Sequence, residues 1–105
     1  MKKRKYHSSL SNEDIIFIEY FENEREIIDL KIVYYTEING ITKQVYRIDC
    51  SHGFLHKHLL FEPKERIEKI PLDLNKKTMT MLLNEIEDNW QEMKRKFFKK
   101  ERWKK

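Results

Sequence analysis

Along the last third of the chain, apolar residues recur at alternating intervals of four and three: Met79, Leu83, Ile86, Trp90, Met93 and Phe97, with Leu82 beside them. That spacing lays one apolar stripe along a helix and predicts an α-helix from Asn75 to Trp103. Asn75 has the side chain of an N-cap, Glu85, Glu87 and Asp88 precede the lysines, and no Pro or Gly interrupts the run. Such a stripe suits packing on a core. It also fits heptad spacing, which leaves open a self-associating coil and with it a homodimer.

Upstream the apolar pattern becomes that of strands. "IIDLKIVYYTEI" (27–38) and "ITKQVYRIDC" (41–50) are rich in β-branched and aromatic residues and are separated by Asn39-Gly40, a strong hairpin signal. A two-residue loop would pair Ile38 with Ile41, and so Ile32 with Arg47 and Leu30 with Asp49. A three-residue loop with Gly40 in a left-handed bulge would pair Glu37 with Ile41, Ile32 with Tyr46, Leu30 with Ile48 and Ile28 with Cys50. A slip of one residue exchanges every side chain between faces, and the apolar pattern favours the bulged loop. It assigns Ile28, Leu30, Ile32, Tyr34, Tyr46, Ile48 and Cys50 to a face under the helix. Lys31, Val33, Tyr35, Lys43, Val45, Arg47 and Asp49 then take the other face.

"SHGF" turns the chain into a third strand over 55–62, with Leu59 and Phe61 inward and His56, His58 and Leu60 on the face of Arg47 and Asp49. "EPKER" reads as a turn and "IEKI" as a short strand before Pro71. "IIFIEYF" (15–21) reads as a strand by its β-branched and aromatic content, against a helix that Ser11 to Asp14 would cap. The expected fold class is α+β: an antiparallel sheet of four or five strands with one long C-terminal helix packed on one face. Residues 1–105 are expected to make a single domain, with unordered basic ends at 1–8 and 99–105.

Composition adds a charge segregation to this picture. The net charge is +4, but residues 1–5 and 94–105 together hold twelve cations against one acid, whereas residues 6–93 hold ten against seventeen. Basic ends on an acidic body point to a polyanion as partner, with Lys99, Lys100 and Arg102 as tail contacts; solvation of the termini and a favourable helix-dipole interaction are the plainer account. Cys50 is the one cysteine, so no internal disulfide is expected, and no apolar signal or membrane segment is evident. A cytoplasmic protein without membrane contact is expected.

The candidate chemistry is concentrated in "YRIDCSHGFLHKHLLF" (46–61). Strand alternation gathers Arg47, Asp49, His56 and His58 on one face, with His52 in the turn at its edge. In metal-independent phosphodiester cleavage one histidine accepts the proton of the attacking hydroxyl and another donates one to the leaving oxygen. His52 and His56 are the expected pair. Arg47 would clamp the phosphate with its planar fork, and Asp49 would orient a histidine. No cofactor is needed for that chemistry. Two alternatives stay open: a metal held by His52, His56, His58 and Asp49, and a non-catalytic nucleic-acid-binding or protein-interaction module that uses the basic tails and the open sheet face, with Tyr35, Lys43, Arg47 and the histidines as contacts. Exposed histidines and an Arg-Asp pair also occur on any solvated sheet face. Cys50, on the apolar face, reads as a packed small hydrophobe.

The run "VYRIDCSHGFLHKHLLFEP", followed by a polar turn, "IPL" and a helix with "DNWQEMKRKF", resembles a family of small uncharacterised prokaryotic domains. That family has an Arg-x-Asp-x-x-His-Gly-x-x-His core after a hairpin and before a helix with the same Asn-Trp step. The resemblance covers about residues 27–98 and implies functional roles for Arg47, Asp49, His52, Gly53 and His56. The family usually has Asp where this chain has His58, which sets His58 apart from the shared core. More loosely, the motif is similar to the TumE-type toxins of toxin–antitoxin pairs. That likeness implies a small RNA-directed nuclease of toxin type whose partners are RNA and a small antitoxin protein.

Overall fold

The computed structural model describes residues 1–51 and 54–103. Six antiparallel strands form one sheet in sequence order: β1 (Lys2–Ser9), β2 (Asp14–Asn23), β3 (Glu26–Ile38), β4 (Ile41–Ser51), β5 (Phe54–Leu59) and β6 (Arg66–Ile70). The helix α1 (Lys76–Trp103) then crosses one face and packs on β3 and β4. The α+β class is as the patterning predicts, but the sheet has six strands rather than four or five. The extra strand is β1, in a segment expected to be unordered. All eight of its side chains are exposed, so no apolar periodicity marks it, and it is held through its pairing with β2. At the other end, residues 99–103 continue the helix rather than fraying.

The helix begins as its sequence dictates. Asn75 Oδ1 accepts a hydrogen bond from the Thr78 amide at 2.8 Å, satisfying one of the four donors that a helix N-terminus leaves unpaired. Met79, Leu82, Ile86, Met93 and Phe97 are buried, and Leu83 and Trp90 pack at the margin of the same core. Trp90 meets Tyr34 edge-to-face, with ring centroids 6.3 Å apart. The stripe is thus covered by the sheet.

The β3–β4 hairpin reaches the predicted separation of faces by another route. Ile38 pairs with Ile41 across a two-residue loop, with both Asn39 (φ 52°) and Gly40 (φ 79°) left-handed, as a type I′ turn requires. The pairing then shifts between Tyr34 and Tyr35, leaving Val45 as the extra residue of a bulge. Beyond it Tyr34 faces Tyr46 and Ile32 faces Ile48, two places from the predicted partners but with the predicted parity. The correction falls on two residues. Val45 belongs to the core rather than the open face, and Lys43 lies on the helix side, its Nζ 3.1 Å from Glu101 of α1. A second irregularity, between Phe21 and Glu22, turns Ile27 inward (4 % exposed) and leaves Ile28, expected in the core, 43 % exposed.

One polar cluster is embedded beside the core. Asp14 is 1 % exposed and accepts hydrogen bonds from Tyr34 Oη (2.6 Å), Ser11 Oγ (2.5 Å) and Lys94 Nζ (2.8 Å). Burial pushes the Asp14 carboxyl up, but the bonds from Lys94, Ser11 and Tyr34 outweigh it and hold the group below the ordinary carboxylate range. Burial, and next the adjacent Asp14 carboxylate, keep the Tyr34 phenol protonated well above its ordinary range. This cluster ties the start of β2 to β3 and to a helix residue 80 positions away.

Two stability predictions follow from these features. Because the Asp14 pKa is depressed on folding, the unfolded chain binds more protons at acid pH, so its contribution is present above pH ~4 and is lost as pH falls through the folded value. Asp14→Asn, which strands Lys94, should cost about 3 kcal/mol at neutral pH, and urea titrations from neutral to acid pH should show a shallower loss than the wild type. The β2–β3 turn places Glu24 (φ 49°) and Arg25 (φ 71°) in the left-handed region without a residue suited to it. Replacing them by Asn-Gly should raise stability by about 1 kcal/mol, seen as a higher urea midpoint at unchanged slope.

Candidate functional site

The face of the sheet away from α1 is crossed by two rows of side chains, one residue from each strand. The first runs His7, Phe17, Val33, Arg47, His58 and Ile67; the second runs Lys5, Glu19, Lys31, Asp49, His56 and Lys69. In the second row the charges alternate as far as Asp49, with His56 between Asp49 and Lys69. Opposite charges directly across neighbouring strands support pairing. Val33 is fully buried although no helix covers this side; its cross-strand neighbours are Phe17 and Arg47.

Arg47, Asp49 and His58 meet where the rows adjoin. Arg47 Nε lies 3.2 Å from Asp49 Oδ2, and His58 Nε2 lies 3.3 Å from the same oxygen. Arg47 Nη2 is 3.3 Å from His58 Nδ1 and 3.4 Å from Nε2, a position astride the ring rather than on one lone pair. All three side chains are part-exposed. His56 stands opposite Asp49 on the neighbouring strand, and its Nδ1 is buried without a hydrogen-bond partner among the described residues. The arrangement can hold an anion at Arg47, orient His58 through Asp49 and present His56 as a proton donor.

The predicted residues are thus brought together in part. Arg47, Asp49, His56 and His58 share the open face. His58, which the family resemblance set apart, is the histidine in contact with Asp49. His52 and Gly53 lie outside the described residues. Tyr35 is on the open face between Ile15 and Gln44. Four of the expected nucleic-acid contacts are placed elsewhere. Lys43 is paired with Glu101. Lys100 is buried, its Nζ donating to the Leu60 carbonyl at 2.7 Å; it acts as a strut between α1 and the segment after β5. Arg102 is exposed beside the β3–β4 turn, and Lys99 is exposed on α1. Cys50 is half-buried against the core, where burial, then Asp29 and Asp49, push its thiol up, away from a nucleophile's range.

The open face also carries groups that motif reading passed over. Phe54 is half-exposed, with Lys69 Nζ 3.9 Å from its ring centroid, and Lys3 Nζ lies 5.5 Å from the Phe21 ring. Carrying strand alternation from β4 outward in both directions would have found them. Among the described residues, no three His, Cys, Asp or Glu side chains converge as metal ligands; His52, one of the four in the metal alternative, is not among them. No described helix is long and apolar enough to cross a membrane.

Comparison with known proteins returned no matching curated protein and no matching solved structure. One family model matches residues 1–103, from β1 through α1 and so beyond the span of the motif resemblance. The chain therefore belongs to the family described as a domain of unknown function, DUF7718.

Proposed function

We propose that the open sheet face is the active site of a small, metal-independent ribonuclease of toxin type. The observation that carries this reading is the meeting of Arg47, Asp49 and His58 within 3.4 Å, with His56 across from the same carboxylate. Arg47 leaves His58 to bind the scissile phosphate, for which its planar fork is suited. Asp49 keeps His58 in the tautomer with Nε2 protonated, so that Nδ1 accepts the proton of the ribose 2′-hydroxyl. The 2′-oxygen attacks phosphorus, the bond to the 5′-oxygen breaks, and His56, entering as the imidazolium, supplies a ring proton to that leaving oxygen and is left neutral. The products are a 2′,3′-cyclic phosphate and a 5′-hydroxyl. Lys31 and Lys69, in the same row, neutralise flanking phosphates, and Phe54 offers an exposed ring to a base.

A second reading, RNA binding without cleavage, has its own support. Both ring nitrogens of His58 lie within 3.4 Å of Arg47 or Asp49, so His58 needs Arg47 to move before it can accept a proton.

Incubating the protein with total RNA in EDTA separates the two. Cleavage leaving cyclic phosphate ends, reduced roughly 10²–10⁴-fold in His56→Ala and strongly in Asp49→Asn, is the result expected of the nuclease. Equal cleavage by wild type and His56→Ala, or none by either, overturns it. Salt-dependent RNA binding that weakens in Arg47→Ala, without cleavage and unchanged in His56→Ala, would establish the second reading.

A further inference from the structure

A groove lies on the other side of the molecule, where the C-terminal part of α1 passes the segment joining β5 to β6. Arg95, Lys96, Lys99 and Lys100 form one wall, and Phe61, Glu62 and Pro63 the other, around a volume of about 460 Å³. Four cations at positions i, i+1, i+4 and i+5 of one helix repel each other and need partners. Arg95 has Glu92, bonded through Nε at 2.9 Å and through Nη2. Lys100 is buried, bonded to the Leu60 carbonyl and 3.7 Å from a Glu65 oxygen. Lys96 has the Phe61 ring, its Nζ 5.5 Å from the centroid. Lys99 is exposed and makes no ion pair among the described residues. Against these cations the groove sets a single carboxylate, that of Glu62.

The floor has a different character. Phe61 and Pro63, with the methylene stems of the lysines, are apolar. The groove is therefore cationic at its rim and apolar below, and it asks for a ligand of the converse kind.

We propose that it is the docking site for an acidic, extended segment of a partner protein. One apolar side chain of that segment would rest against the exposed Pro63 and the lysine stems beside Phe61, with flanking carboxylates on Arg95, Lys96 and Lys99. Nucleic acid fits less well. Phe61 is only 7 % exposed and offers no ring face on which a base could stack, and phosphates alone would leave the apolar floor unused. The groove is on the helix side and the Arg47 cluster on the opposite face, so the two sites can be occupied at once and tested apart.

The test is a titration of the ¹⁵N-labelled full chain, followed by amide chemical shifts. The probe is a short synthetic peptide of glutamates flanking a Phe-Leu pair. Shifts are expected at residues 61–63 and 92–100 and not at Arg47, His56 or His58. Reversing exposed charges with Arg95→Glu and Lys99→Glu should weaken binding roughly tenfold or more. A peptide of equal charge with Ser-Ser in place of Phe-Leu should bind distinctly more weakly. Absence of shifts at the groove, equal affinity of the charge-reversed protein, or equal binding of the Ser-Ser peptide overturns the proposal. So does a single-stranded oligouridylate that shifts the groove where the peptide does not, since the groove would then be a polyanion track.

Discussion

One helix has to close a sheet of six strands, and this shortage of cover governs the molecule. The 28 residues of α1 span about 42 Å, but its width of about 10 Å matches only two strand spacings. The helix lies on β3, the strand with the most buried side chains, and on β4, and cover thins toward both edges. β1 consequently contributes nothing to the core, and the face opposite α1 must remain folded without any second layer. It does so with cross-strand charge pairs and with Val33 fully buried. The open face is therefore a structural necessity before it is a proposed site, and on that proposal its polar residues have two roles to reconcile.

That reconciliation is visible at Arg47. Its side chain stands across from Val33, pairs with Asp49 and lies against His58, so the group best suited to grip a phosphate is already engaged within the uncovered face. A ligand anion at this position would not enter a preformed pocket. It would exchange places with an internal partner, and the free state would be stabilised by the contacts that binding must break.

The elements with strong apolar periodicity were legible in the residues alone. The stripe from Met79 to Phe97 specified the helix and its buried side, Asn75 its start, and the inward parity of Ile32, Tyr34, Tyr46 and Ile48 specified the sheet's two faces. The position of the bulge was not legible. Asn39-Gly40 is equally good chemistry for a two-residue loop and for a loop with a left-handed glycine, and parity alone is satisfied by an extra residue at either Gly40 or Val45. Lys43, between those two positions, and Val45, the bulged residue itself, were therefore assigned to the wrong face. β1 was illegible because a strand with no buried residue has no pattern to show. The β2–β3 hairpin lacks turn chemistry, since Glu24 and Arg25 adopt a conformation that neither favours. At the site, alternation brought Arg47, Asp49, His56 and His58 together, but only coordinates distinguish the histidine bonded to Asp49 from the one beside it. The Asp14 cluster left no trace at all, because its partners are scattered from Ser11 to Lys94.

The neighbour-to-neighbour strand order has a kinetic meaning as well. Every strand pairing joins segments adjacent in the chain, so the sheet can grow outward from the β3–β4 hairpin by successive short loop closures, each with a small entropic barrier. The long-range closures come with the helix, and the bond from Lys94 to Asp14 spans most of the sequence. Until α1 docks, the apolar side of the growing sheet is bare and the carboxylate of Asp14 lacks its cation. Docking buries both together, which makes the arrival of the last element the step that commits the chain to its folded state.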